Sequence, residues 1–189
     1  MFDYSTRPCI VLGCASSVWK DAEEAFSVYG YLKPIVFAVN DIGLHFNHIH
    51  VDHLVSLHDE LVTHIRGIRK IRDLDFTATH SYKHADGVDF CWREKIPNHD
   101  GTSTLFAVEI ALQFNANKVI VCGTPLDNSP HYYEDQRLVN SKVFDFGKSG
   151  DTGVWTNTFE NRLAEHKHKI RFVSGSLKHF FGGIDGDKC

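Results

Sequence analysis

Between Gly101 and Asp127 the chain reads GTSTLFAVEIALQFNANKVIVCGTPLD, and no other stretch restricts the fold as strongly. Gly101 and three hydroxyl residues, Thr102, Ser103 and Thr104, open a proline-free apolar run that carries Leu105, Phe106, Val108, Ile110, Leu112 and Phe114. These apolar residues point all round a helix rather than to one side, which predicts a largely buried helix. Asn115 and Asn117 break it, and Val119 to Cys122 reads as a short strand that closes at Gly123. A strand without alternation suits a parallel sheet covered on both faces. The helix start bears on function. Its unpaired amides and partial positive charge can hold a phosphate or carboxylate, while Thr102 or Ser103 can equally serve as an ordinary N-cap.

The rest of the chain repeats the alternation of strand and helix. Pro8 to Gly13 forms a first strand, followed by a turn of small residues, Gly13-Cys14-Ala15-Ser16-Ser17. The next helix places Val18, Ala22, Ala25, Phe26 and Tyr29 on one face, with Asp21, Glu23 and Glu24 opposite or beside it and Ser16 or Ser17 as its cap. Pro34 to Val39 is the second strand and ends in Asn40-Asp41, where a ligand of a parallel sheet is met. Asn40 is expected to read a base or ribose and Asp41 to do the same or cap the following turn.

A third strand is expected over Val51 to His58, with His58 at its carboxyl end as a further candidate. The nearby histidines His48, His50 and His53 suggest a metal, but extended backbone sends His53 to the face opposite the other two, and neither HExxH nor zinc-type Cys/His spacing is present. No metal is expected. Asp59 to Asp75 reads as a basic amphipathic helix with Leu61, Ile65, Ile68 and Ile71 inward and Arg66, Arg69, Lys70 and Arg72 solvated. Strands over 76–80 and 88–93 lead back to the Gly101 helix. After Gly123, the run Thr124-Pro125-Leu126-Asp127 continues into His131, Tyr132 and Tyr133. Two prolines there stop the sheet, so polar groups beyond a core strand can supply a base or phosphate hydrogen bonds. Residues 139–153 suggest a lid, 154–169 a helix, 170–173 the last strand, 174–176 a third small-residue turn and 177–189 a short helical turn with a frayed end.

The 189 residues suit a single three-layer Rossmann-like α/β domain over 1–189, with a mostly parallel sheet of about five to seven strands. A net charge of −4 gives no basic surface for nucleic acid, and no stretch reaches membrane-span length. The N-terminus carries no signal-peptide pattern, and five cysteines without CxxC spacing fit a reducing compartment, so a cytoplasmic location is expected.

Taken in order, GCASS after the first strand, VND after the second, GTST opening a helix, and VIVCGTPLD with tyrosines following resemble the sialyltransferase-like Rossmann group. That group includes bacterial CMP-sialic-acid-dependent sialyltransferases and archaeal 6-hydroxymethylpterin pyrophosphokinase-like proteins. Its usual GNGPS is replaced here by Gly13 to Ser17, and its Gly-x-Asp by Gly123-Thr124-Pro125 with Asp127 displaced. The resemblance implies a transferase acting on a nucleotide-activated substrate, a glycosyltransferase using a CMP-type nucleotide sugar. Gly13, Cys14, Ala15, Ser16, Asn40, Asp41, Thr102, Ser103, Thr104, Gly123, Thr124 and Asp127 would bind the nucleotide. Tyr132 and Tyr133 would stabilise the leaving phosphate, and His131 (or His166) would be the base. The alternatives are ATP-dependent pyrophosphoryl transfer, which needs Mg²⁺ on Asp41, Asp100 or Asp127, and a nucleotide-binding or interaction module without chemistry. The expected partner is a nucleotide-containing small molecule.

Overall fold

The computed structural model describes residues 2–99, 101–126, 132 and 152–187. Seven strands form one sheet in the order β5-β4-β3-β2-β1-β6-β7: β1 Pro8–Leu12, β2 Ile35–Val39, β3 His53–Ser56, β4 Ala78–Ser81, β5 Phe90–Cys91, β6 Lys118–Cys122 and β7 Ile170–Phe172. Every pairing between neighbours is parallel. Helices α1 (Val18–Tyr29) and α2 (Asp59–Ile71) cover one face, and α3 (Ser103–Gln113), α4 (Thr152–Leu163) and α5 (Leu177–Phe181) cover the other. The expected three-layer α/β fold is therefore present.

The two-sided cover explains the unbroken apolar runs. In β1, Cys9 and Val11 join the layer under α3 while Ile10 and Leu12 join that under α1. In β6, Val119 and Val121 face one layer and Ile120 and Cys122 the other. With water on neither side, alternation has no work to do. Helix α3 behaves as its composition requires: eight of its residues, from Ser103 to Ala111, are buried. Asn115 then adopts φ 59°, a left-handed conformation that asparagine tolerates, and turns the chain into β6.

Four expectations are corrected. On α2 the buried residues are Val62, Ile65 and Arg69, whereas Ile71 is 86% exposed, so the inward face is rotated from the one the isoleucines suggested. Arg69 can enter because its guanidinium donates to the carbonyls of Gly43 and Asp75, which replaces its water. The third strand is shorter than its alternation implied; it stops at Ser56, and His58 instead precedes α2 at its N-cap position. The α-helix over 154–169 ends at Leu163 and continues as a 3₁₀ segment, Ala164–Lys169. The tail is anchored through Asp187, which accepts from Lys118 Nζ at 2.7 Å and from the Tyr29 hydroxyl, with Ile184 fully buried beneath it.

Candidate functional site

The chain lays β2 to β5 outward on one side of β1 and then returns to the other side with β6 and β7. The reversal makes β1 and β6 the switch point of the sheet, and their carboxyl ends are where such folds admit ligands. Three small-residue turns meet there. Gly13 N–H donates to Cys122 O at 2.8 Å, and Ala15 N–H to Gly123 O at 3.0 Å, which stitches the first turn to the end of β6. A Cβ on Gly13 would overlap the Thr124 hydroxyl, so only glycine permits this approach. Gly123 has φ +64°, and a Cβ there would lie 2.6 Å from that of Val18. Both positions are glycine for steric reasons.

Asp21 ties the turns together. Its Oδ2 accepts from Gly123 N–H at 2.9 Å, from the Ser174 hydroxyl at 2.6 Å and from the Ser17 hydroxyl at 3.1 Å. Ser17 holds the N-cap position of α1 but makes no side-chain cap; its hydroxyl is turned to Asp21 instead. Asp21, expected opposite or beside the apolar face of α1, is buried. A signal for this existed: with Val18, Ala22 and Ala25, Asp21 completes the apolar face of α1 at spacings of three and four. A carboxylate on such a face needs donors, and the small-residue turns supply them.

A second polar cluster stands at the end of β2. Asn40 has φ 53°, a left-handed conformation, and its Oδ1 accepts from the Ser56 hydroxyl at 2.6 Å. The neighbouring Asp41 Oδ2 accepts from the Tyr132 hydroxyl at 2.8 Å, while Tyr132 N–H donates to Cys14 O at 2.9 Å. Tyr132 is buried, its ring 6.1 Å from Trp19 and 4.9 Å from His45. The Cys14 thiol donates to Val39 O at 3.2 Å. Burial and the adjacent Asp41 carboxylate hold that thiol well above its ordinary pKa, so it is neutral and not a nucleophile. Partial burial likewise lowers His45, with the Asp41 charge opposing and Arg72 assisting.

At the start of α3, Thr102 is the N-cap and its hydroxyl accepts from Leu105 N–H at 3.2 Å. Ser103 Oγ accepts from Leu57 N–H at 3.1 Å, and Thr104 accepts from the Thr124 hydroxyl at 3.3 Å. The Ser103 and Thr104 hydroxyls thus fasten α3 to the ends of β3 and β6, while that of Thr102 caps the helix itself. The amides of Ser103 and Thr104 have no partner among the described residues.

The structure brings Gly13, Cys14, Ala15, Asn40, Asp41, Thr104, Gly123, Thr124 and Tyr132 into this one crest by the contacts above, with Ser16 half-buried in the first turn. Asp100, Asp127, His131, Tyr133 and 139–151 lie outside the described residues. His166 stands in the 3₁₀ segment before β7, at the opposite end of the strands. His48 and His50 are exposed while His53 is buried in the sheet, and among the described residues no group of three metal-binding side chains occurs. A groove of about 760 Å³ beside β7, lined by Lys167, His168, Arg171 and Asp187 among others, is remote from the crest. Sequence reading missed Asp21, Ser174, Ser56 and His45.

No family model matches the chain, and no curated protein matches its sequence. Among solved structures it is similar to that of the sialyltransferase CstII from Campylobacter jejuni in complex with a substrate analogue, cytidine-5′-monophosphate, with a TM-score of 0.60. The match covers 97% of this chain and 87% of that one at 12% identity. Likeness at this identity is a likeness of fold. The Rossmann-like architecture that the resemblance implied is thus present in three dimensions, as a likeness of fold. No helix among the described residues is long and apolar enough to cross a membrane.

Proposed function

We propose that this chain is a transferase acting on a nucleotide-activated substrate, with a CMP-type nucleotide sugar as donor. The observation that carries the reading is the convergence of three small-residue turns, the α3 start and the Asn40–Asp41–Tyr132 cluster over the carboxyl ends of β1, β2 and β6. The charges favour one placement of the donor. Asp41 is an acceptor that repels phosphate and suits ribose hydroxyls or a base amine, with Asn40 beside it. The Ser103 and Thr104 amides at the positive end of α3 suit the phosphate. Gly13 to Ser16, Gly123 and Thr124 would line the path between them, and Asp127 would add a nucleotide contact as the resemblance implies. On donor binding a ribose hydroxyl would replace Tyr132 on Asp41, freeing the Tyr132 hydroxyl to stabilise the departing phosphate together with Tyr133. His131 would deprotonate the acceptor hydroxyl; electrostatic stabilisation of the leaving group would supply most of the rate.

A thermal-shift series with CMP, CDP, UDP, GDP, AMP and ATP, each with and without Mg²⁺, tests this. A nucleotide at 100 times its Kd stabilises by about 2.7 kcal/mol. A response to CMP without metal is expected. A response to ATP that needs Mg²⁺ would replace the reading with pyrophosphoryl transfer. Silence towards every nucleotide would leave an interaction module with the same fold.

A further inference from the structure

Away from the crest, in the outer half of the sheet under α3, four side chains with polar ring atoms form a continuous buried chain. Trp92 Nε1–H donates to His80 Nδ1 at 3.0 Å, His80 Nε2 lies 2.8 Å from His53 Nδ1, and His53 Nε2 lies 2.6 Å from the Tyr4 hydroxyl. Both histidines are fully buried. An indole nitrogen can only donate, which fixes every proton in the chain. His80 Nδ1 accepts, so its Nε2–H donates to His53 Nδ1; His53 Nε2–H then donates to the Tyr4 oxygen. Each ring nitrogen is used in the neutral form. An added proton must displace a hydrogen bond, either against the indole N–H or between the two imidazoles.

Among the described residues, no carboxylate acts on either ring to stabilise such a charge. The N-terminal segment contributes Phe2 and Tyr4, β2 Phe37, β5 Phe90 and the end of α3 Phe114, all aromatic. The titratable neighbours from the N-terminal segment and β1 are Tyr4 and Cys9, both kept neutral by burial. The charges that act on Tyr4 are Asp52 and Arg7, and at the other end of the chain Lys95 Nζ lies 5.2 Å from the centre of the Trp92 ring. The Asp52 carboxylate accepts from Val36 N–H at 2.8 Å and faces His50 at 3.7 Å. The elements held together are peripheral: Tyr4 belongs to the N-terminal segment, which docks through Tyr4 N–H to Phe114 O at 2.7 Å, and His80 and Trp92 belong to β4 and the residues after β5.

We propose that the Trp92–His80–His53–Tyr4 chain is an acid-sensitive latch that fastens the N-terminal segment and the β4–β5 edge to the rest of the sheet. Burial lowers His53 to about 3 and, with His53 beside it, carries His80 well below the ordinary histidine value. Both unfolded histidines titrate near 6.5, so below that pH the opened chain takes up two protons that the closed one refuses. Stability is complete above about pH 7 and falls as pH drops from about 6.5 towards the folded values.

Urea unfolding between pH 7.5 and 5.0, on wild type and on His53→Gln/His80→Gln, reads this. The folded-to-unfolded ratio of wild type is expected to fall roughly a thousandfold, two protons' worth, over that range. The double variant loses that two-proton component and keeps only the smaller contribution of groups such as His45. Should the double variant not fold, imidazole ¹⁵N shifts of wild type decide: the rings stay neutral at pH 5.0 if the latch exists, and titration of either near 6.5 in the folded protein overturns it. Amide protection at pH 5.0 separates a latch from a general stability element. β4 should open while β1 and β6 stay protected; simultaneous loss in all strands, or parallel pH slopes for both proteins, refutes the proposal.

Discussion

The crest over β1 and β6 and the aromatic box around His53 both bury polar groups, and they satisfy them in opposite ways. At the crest, the Asp21 carboxylate collects a backbone amide and two hydroxyls into one oxygen. In the box, neutral rings pass single hydrogen bonds from one to the next. Charge-assisted bonds are the stronger kind, yet a buried charge left without donors costs more than any neutral group. The crest therefore tolerates no loss of its centre, while the box tolerates no gain of a proton. A rigid, hydrogen-bonded crest suits a site that must hold a ligand in one geometry, and a proton-intolerant box suits a joint that opens.

The largest expected effect is at the crest. Asp21→Ala removes the acceptor shared by three donors and should lower stability by about 3 kcal/mol or more in urea unfolding. A loss below about 1 kcal/mol would mean the turns hold themselves. Tyr132→Phe deletes one hydroxyl that donates to Asp41 and is expected to cost about 1–2 kcal/mol. If the proposed function holds, it also slows turnover of a CMP-sugar with little change in CMP affinity; an unchanged rate would confine Tyr132 to packing. Thr102→Ala should cost about 1 kcal/mol through loss of the cap to Leu105. Thr102→Ser, which keeps the oxygen, should recover most of it. The smallest effect concerns acid pH. Burial raises Asp187, but hydrogen bonds from Lys118 and Tyr29 and the charges of Lys118 and Arg171 outweigh it and leave the carboxyl below its ordinary value. Asp187 thus adds stability above the unfolded carboxylate range near pH 4 that is lost as pH falls through it. Asp187→Asn should flatten the stability curve there and leave the histidine-dependent range above pH 5 untouched, a clean separation of the two regions.

Much of the crest was legible from residues alone. Gly13 and Gly123 close apolar strands, and Asn40 follows a third; parallel strands must end in turns, and the turns must use residues that tolerate close approach. An N-cap by Thr102 or Ser103 was readable from a hydroxyl pair before an apolar helix, and the structure gives that place to Thr102. The inward turn of Asp21 was less so, since an acid in a first turn also fits the helix dipole from a solvated position. Arg69 was misread for a related reason. Helical spacing put four isoleucine and leucine positions on one face, but two carbonyls beyond the helix, those of Gly43 and Asp75, drew a guanidinium inward and left Ile71 in solvent.

The histidines mark the boundary between the two kinds of information. Spacing along the chain shows that His53 cannot share a face with both His48 and His50, which argues against a local metal cluster without any coordinates. It says nothing of His80, twenty-seven residues later, or of Trp92 and Tyr4. Sequence by itself determined the covered parallel sheet, because apolar runs of about five residues that end at turn residues suit strands buried on both sides. It also determined where small residues end those strands. The tertiary structure alone decided which turns touch, that Asp21 joins three of them, and that four rings from the N-terminal segment, β3, β4 and the residues after β5 line up in hydrogen-bond order. Those are contacts between segments far apart in the chain, and local periodicity carries no term for them.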